Sequence, residues 1–427
     1  MRSLIQRIKS NTYIFQILTL MSGTLMAQII MLAFIPILTR LYTPSEFGIY
    51  SLFLTLSSMI GTVSSLRYDQ AIMLPKSNRD AQALVFLSIL LTIAVTLILT
   101  IATIIFYDFF WNYFNQEAFW VWLFPLSVLV FGLVQIFNSY ATRKEFYRKI
   151  ATVKMMESVT TVSSQGISRY FFMWDGLIVG KLLSNSFSLY QLLHYHLKKQ
   201  TLQLKYLSKR RIRANSKRHE SFPKYLSLST LMNSLSQNIP VLLFSSFFSP
   251  AVVGFYSLTT RVLQAPILLI ADSTRSVFYQ KASKMYANGE DIIPLYTKTT
   301  WGLVKLFILP MLIIIFLGPT IFAWFFGEAW RESGVMAQIV IVWFFFAFIA
   351  PPTSMIYNIL NLQKLLLMIQ IAALILRTSG ILVGYYFFDS YWVALILFVL
   401  FSVVHNLIFI GYIYFKIKKN HFIRSQA

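Results

Sequence analysis

Apolar residues in this chain come in runs of about twenty, parted by short polar connections, with few polar positions inside each run. A run of ~20 mostly apolar residues is long enough to cross the hydrocarbon of a bilayer as a helix. Twelve such runs can be read. The first half holds Tyr13–Thr39, Phe47–Leu66, Ala81–Tyr107, Phe119–Tyr140, Ile150–Phe172 and Leu177–Leu197. The second holds Tyr225–Phe248, Ala251–Ser273, Thr299–Phe325, Val335–Ile359, Leu365–Phe388 and Trp392–Phe415. The fifth run is the weakest, carrying Glu157, Thr160, Thr161, Ser163, Ser164 and Gln165. It counts as a span because the charge alternation below needs an even number. The N-terminal stretch starts like a signal peptide, but its apolar run is too long and lacks a small-residue cleavage site, so it reads as the first span.

One phrase occurs twice. Pro44-x-x-x-Gly48-x-Tyr50-Ser51-Leu52 returns as Pro250-x-x-x-Gly254-x-Tyr256-Ser257-Leu258, displaced by 206 residues (250 − 44). Each copy follows a hydroxyl residue, Thr43 or Ser249, and opens an apolar run. A hydroxyl residue before proline marks a helix start, an oxygen to cap free N–H groups and then a residue with no N–H to lose. Glu46 completes a capping box with Thr43. The copies open spans two and eight, six crossings apart and therefore pointing the same way. This is a parallel repeat, a plan common in transporters. The expected fold is all-α integral membrane, about twelve transmembrane helices in two parallel six-helix halves around a central cavity. The halves are residues 1–200 and 224–427, joined by a basic linker, 201–223.

Composition agrees. Of 427 residues, 57% are hydrophobic and 12% charged, more apolar surface than a soluble chain can hide. There is no cysteine, which excludes disulfide and thiolate chemistry. The net charge of +22 would suit nucleic acid if it were gathered on one face. Instead Lys and Arg collect on every second connection: Arg2, Arg7 and Lys9; Arg67, Lys76 and Arg79; Arg143 to Lys154; Lys198 to Lys224; Arg275 to Lys298; Lys364; and Lys416 to Arg424. The connections between hold at most one each, such as Arg40, Arg169 and Arg331. The positive-inside rule then puts both termini and the sixth loop in the cytoplasm. The basic sixth loop is a topology anchor that touches anionic headgroups rather than a nucleic-acid patch.

Ionisable residues inside spans are costly and read as functional candidates. Most here are cations: Lys181, Arg261, Lys305 and Arg377, against one carboxylate well inside a span, Glu157. On an unbroken eighth helix Arg261, Gln264, Asp272 and Arg275 share a stripe of roughly 80°. Arg67 and Asp69, at the end of span two, are candidates to pair with Asp272 and Arg275 as a gate. Neutral groups, among them Gln28, Asn233 and Gln237, suit sugar hydroxyls or helix–helix hydrogen bonds. His405, the only histidine at depth, reads as a helix-packing residue. No HExxH, GxSxG or Walker sequence occurs, so neither a catalytic constellation nor a metal site is expected.

Leu41-Tyr42-Thr43-Pro44-Ser45-Glu46-Phe47-Gly48-Ile49-Tyr50, Arg67-Tyr68-Asp69, and Val253-Gly254-Phe255-Tyr256-Ser257 leading to Arg261 resemble the Wzx-type polysaccharide flippases of the multidrug/oligosaccharidyl-lipid/polysaccharide (MOP) superfamily. The resemblance runs the length of the chain. It implies a non-enzymatic carrier in the bacterial plasma (inner) membrane, moving undecaprenyl-diphosphate-linked oligosaccharide units to the outer leaflet for O-antigen or other surface polysaccharide. Expected partners are membrane lipids, a polysaccharide polymerase and chain-length machinery, with no nucleic acid and no cofactor. Arg261, Arg377, Lys305 and Lys181 would meet the diphosphate, Asn233, Gln237 and Gln28 the sugars. Glu157 would couple transport to protons or sodium. Two alternatives stay open: a multidrug extruder of the same superfamily, whose cationic drugs would call for carboxylates, and a membrane-embedded polysaccharide polymerase, which would carry a long outer loop.

Overall fold

The computed structural model describes residues 12–113, 118–172, 176–203, 208–360 and 362–426, and every regular element among them is helical. The twelve runs become twelve long helices. They are α1 Thr12–Leu41, α2 Pro44–Val63, α3 Asn78–Ile105, α4 Ala118–Arg143, α5 Tyr147–Phe172, α6 Gly176–Lys198, α7 Ser227–Phe247, α8 Pro250–Ala287, α9 Ile293–Phe326, α10 Arg331–Ile349, α11 Gln363–Phe388 and α12 Tyr391–Gln426. The tenth run is broken at Ala350, where Pro351 and Pro352 open a separate short helix, Pro351–Ile359; prolines there cannot donate back to α10. Helices α1–α4 and α9–α12 (α10 with its short continuation) are long and apolar enough to cross a membrane. Among the described residues no such stretch is found in α5–α8, which are consecutive in the chain.

The chain forms two compact units, Met1–Ile239 and Pro240–Ala427, divided within α7. Each is built on the same plan. In the first, α3 packs on α4, α5 on α6, and α4 also on α2 and α6. In the second, α9 packs on α10, α11 on α12, and α10 also on α8 and α12. Every one of these pairings recurs six helices later. The first unit adds α1 laid along α5.

The repeated phrase folds alike in both places. Thr43 and Ser249 both enter their helices from extended backbone, φ −76°, ψ 162° and φ −79°, ψ 155°. Thr43 makes the capping box, its N–H donating to Glu46 Oε2 at 2.6 Å. Ser249 has no acid three residues on and makes no side-chain cap. Tyr50 and Tyr256 are both buried.

Within each unit the ends are consistent. In the first, Arg143 donates to the carbonyls of Ile72, Met73 and Pro75, and Tyr140 and Gln82 both donate to the carbonyl of Thr201. The basic second, fourth and sixth connections therefore meet at one end. At the other end Arg169 pairs with Glu46 at 2.7 Å and lies over the ring of Tyr42. In the second unit Phe278, Tyr296, Tyr357 and Ile413 form one cluster, which gathers the corresponding connections.

Long apolar side chains face outward, as lipid solvent requires: Ile98 and Ile105 on α3, Leu309 and Phe316 on α9, Ile408 and Phe415 on α12. The polarity of α5 has the opposite explanation. Its hydroxyls and amides face protein: Thr161 donates to Ser184 at 2.7 Å, Ser164 to the carbonyl of Gly180 at 2.7 Å, and Gln165 to that of Leu177 at 3.0 Å. The two helices approach so closely that a Cβ on Gly180 would lie 2.6 Å from the backbone of Gln165. Small residues at such crossings let hydrogen bonds form where no water competes. Gly384 against Ala394 plays the matching part between α11 and α12.

Gly180→Leu is therefore expected to destabilise the first unit by about 1–3 kcal/mol, the range for overpacking. Gly166→Ala, on the same hairpin but with open space around the new methyl, should be neutral or stabilising by up to about 1 kcal/mol. Thermal unfolding in detergent reads both; equal melting of the two variants would contradict the close crossing.

Candidate functional site

In the first unit the structure joins two residues that the sequence assigned to different tasks. Glu157 on α5 and Lys181 on α6 form an ion pair at 2.7 Å, both partly buried. Ser184 supports it by donating to the Glu157 carbonyl at 2.8 Å. Lys181 thus carries its own counter-ion, Glu157. The lysine also lines a small cavity between α2, α4 and α6, with Ser57, Ser127 and Asn185.

Arg67 and Asp69 occupy the strained exit of α2. Leu66 and Arg67 both have positive φ, 49° and 60°, which costs roughly 1–2 kcal/mol per non-glycine residue. What holds this turn is Asp69, wholly buried, whose carboxylate accepts from Ser65 at 2.8 Å, Gln135 at 3.0 Å and Gln70 at 3.3 Å, with Arg67 3.9 Å away. Its acceptor capacity is spent inside the first unit. Gln135 was not singled out from the sequence, although a lone amide in the apolar run of α4 was the available signal. On α8, which runs unbroken so that the polar stripe keeps its phase, Arg275 is exposed and Arg261 partly buried. The side chain of Asp272 lies outside the described residues.

The neutral candidates are split. Asn233 and Gln237 are exposed one turn apart on α7 and bond to each other at 3.3 Å. Gln28 on α1 has a buried side-chain oxygen with no partner among the described residues. Lys305 is exposed on the face of α9 that also presents Trp301, Leu309 and Phe316. That face suits acyl chains, with the ammonium reaching along its stem toward headgroups.

Arg377, on α11 in the second unit, is a different kind of cation. It is mostly buried, and among the described residues it has no carboxylate partner. Its surroundings are an aromatic and an imidazole: the guanidinium lies 5.6 Å from the ring centre of Trp343 on α10, and Nη2 lies 3.4 Å from His405 Nδ1 on α12. Tyr256, from the repeated phrase on α8, is close enough to interact with its charge. The Arg377 Nε is buried with no partner. A buried charge normally has a partner of opposite sign. Here packing against three neighbouring helices holds the cation with donors left over. His405 was read from the sequence as a packing residue; its Nε2 is buried and unsatisfied, so packing alone does not account for it.

The basic sixth connection folds into a ten-residue helix, Lys209–Arg218, docked on the start of α3 through Asn215 to Asp80 at 3.3 Å and Tyr68 to the Ser216 carbonyl at 2.9 Å. Lys209, Arg210, Arg213, Lys217 and Arg218 face outward. His219 at its end is buried beside Arg218, and both effects push its pKa down and keep it neutral.

A model of the polysaccharide biosynthesis protein family matches residues 37–335. The fold is shared with MOP superfamily transporters. The lipid II flippase MurJ in an inward closed conformation is similar at 15% identity over 95% of this chain and 90% of that one, with a TM-score of 0.72. An inward-facing multidrug resistance MATE transporter is similar at 14% identity over 94% of each chain, TM-score 0.65. A MOP transporter from Pyrococcus furiosus, with a binding pocket described as reversed in polarity, is similar at 14% identity over 94% and 95%, TM-score 0.63. No curated protein matches this chain in sequence.

Asp69→Ala should lower thermal stability by about 1–3 kcal/mol, since three donors lose a buried acceptor. If Asp69 only anchors the turn, Arg275→Asp will not rescue transport lost in Asp69→Arg. Rescue in a proteoliposome assay would instead identify the gate pairing.

Proposed function

Because the chain belongs to the polysaccharide biosynthesis protein family, we propose that it is a flippase for undecaprenyl-diphosphate-linked oligosaccharide units. It carries them from the cytoplasmic to the outer leaflet of a bacterial plasma (inner) membrane, for O-antigen or another surface polysaccharide. The observation that supports this most is Arg377, a guanidinium built into an apolar bundle without a carboxylate among the described residues. A diphosphate cannot enter hydrocarbon with its hydration shell. Arginine replaces that shell with short, charge-assisted hydrogen bonds in a planar fork.

In this reading Arg377 takes the diphosphate, assisted by Arg261, while the polyprenyl tail stays among lipids. Gln28, Asn233 and Gln237 offer neutral hydrogen bonds to sugars as the cationic positions open to one leaflet and then the other. Lys305 and the exposed cations of Lys209–Arg218 attract anionic headgroups to the membrane face, which the charge pattern places in the cytoplasm with both termini. Lys181 joins the site only when Glu157 releases it, which makes Glu157 the candidate for proton or sodium coupling. The protein acts as a carrier rather than an enzyme, delivering its cargo to a polymerase and chain-length machinery. A multidrug extruder can share this fold, but a buried unpaired guanidinium repels cationic drugs.

Proteoliposome transport of a labelled diphosphate-linked lipid oligosaccharide tests the proposal. Arg377→Ala should slow transport roughly ten- to a hundredfold, the equivalent of about 1.5–3 kcal/mol for a hydrogen bond to a charged group. Arg377→Lys should lose less. Transport at the wild-type rate in Arg377→Ala, or no transport by the wild type while new glycosidic bonds form, would refute it.

A further inference from the structure

The Arg377–His405 contact fixes the state of the imidazole. A guanidinium has donors and no acceptor, so the bond at 3.4 Å requires an unprotonated Nδ1. His405 is therefore neutral, with its proton on Nε2. That N–H lies in a residue only 8% exposed and has no acceptor among the described residues. Arg377 Nε beside it is in the same condition. The pair thus offers two buried donors, one charge and nothing to receive them.

Among the described residues the neighbours supply no counter-charge. From α11 the charged group facing His405 is Arg377; from α8, Tyr256 faces the guanidinium; α10 contributes Trp343. From Pro351–Ile359, Tyr357 donates to the carbonyl of Phe409, whose ring stacks on His405. Tyrosines stay neutral near pH 7. A second positive charge on the imidazole would sit beside the guanidinium in a medium of low dielectric, where like charges repel strongly. A diphosphate brings at least two negative charges and removes that obstacle.

We propose that Arg377 and His405 form one two-armed site for the diphosphate of the carried lipid, and that His405 takes up a proton as the anion arrives. This rests on the flippase reading and adds the linkage between headgroup and proton. Arg377 Nη2 turns from Nδ1 to a phosphate oxygen, a proton from water occupies the freed Nδ1, and the imidazolium becomes a second charged donor. Departure of the anion reverses each step and returns the proton to water.

Calorimetric titration of the purified full chain with farnesyl diphosphate, in buffers of different protonation heat, counts the protons. The difference between wild type and His405→Gln cancels the ligand's own titration. The expected difference is about one proton per ligand, with wild-type affinity falling about a hundredfold more than that of the variant between pH 6 and pH 8. Inorganic pyrophosphate should show the same difference, since phosphate oxygens are what the site reads, and farnesol none. Glutamine keeps an acceptor for Arg377. Melting curves confirm folding, and His405→Asn serves if His405→Gln is unstable. Binding with no difference in proton uptake overturns the linkage and leaves the flippase reading intact. Failure of the wild type to bind either diphosphate overturns both.

Discussion

Hydrocarbon offers no hydrogen bonds, so any polar group inside a spanning bundle must find its partner in the protein. Most of this structure obeys that constraint visibly. The hydroxyls and amides of α5 bond to α6, the Asp69 carboxylate collects three side-chain donors, and Arg169 closes on Glu46. Some buried donors find no partner among the described residues, and those of Arg377 and His405 lie beside each other. They lie in the second unit, where four helices hold them in place and none brings a carboxylate among the described residues.

The repeated architecture makes the difference between the halves meaningful. Both units use the same pairings and the same extended entry into the phrase-bearing helix. In the first unit the interior cation is neutralised, Lys181 by Glu157. In the second, Arg377 has no carboxylate partner among the described residues.

Much of this was legible in the sequence. Twelve apolar runs, the echoed phrase and the capping box of Thr43 and Glu46 all follow from spacing, because helix length and cap chemistry are local properties. The cation at Arg377 was legible too, since a charge in an apolar run has few innocent explanations. What the sequence hid was pairing. Glu157 and Lys181 are 24 residues apart, Asp69 and Gln135 are 66, and only the crossing of α5 with α6 and the exit angle of α2 bring them together. For the same reason the polarity of α5 looked like a weak span when it is a strong seam. His405 was undervalued because one polar residue in an apolar run cannot reveal whether a neighbour satisfies it.

The central claim is that Arg377 meets water and an anion although it sits within an apolar bundle. The chain contains no cysteine, so Trp343→Cys, whose ring centre lies 5.6 Å from the Arg377 guanidinium, places a single reporter thiol at the site with Arg377 intact. Its reaction with a membrane-impermeant methanethiosulfonate in reconstituted vesicles measures both properties at once. The account predicts labelling of the folded protein that slows markedly when undecaprenyl diphosphate is added. A thiol that reacts only after unfolding, or at one rate with and without the diphosphate lipid, would contradict it.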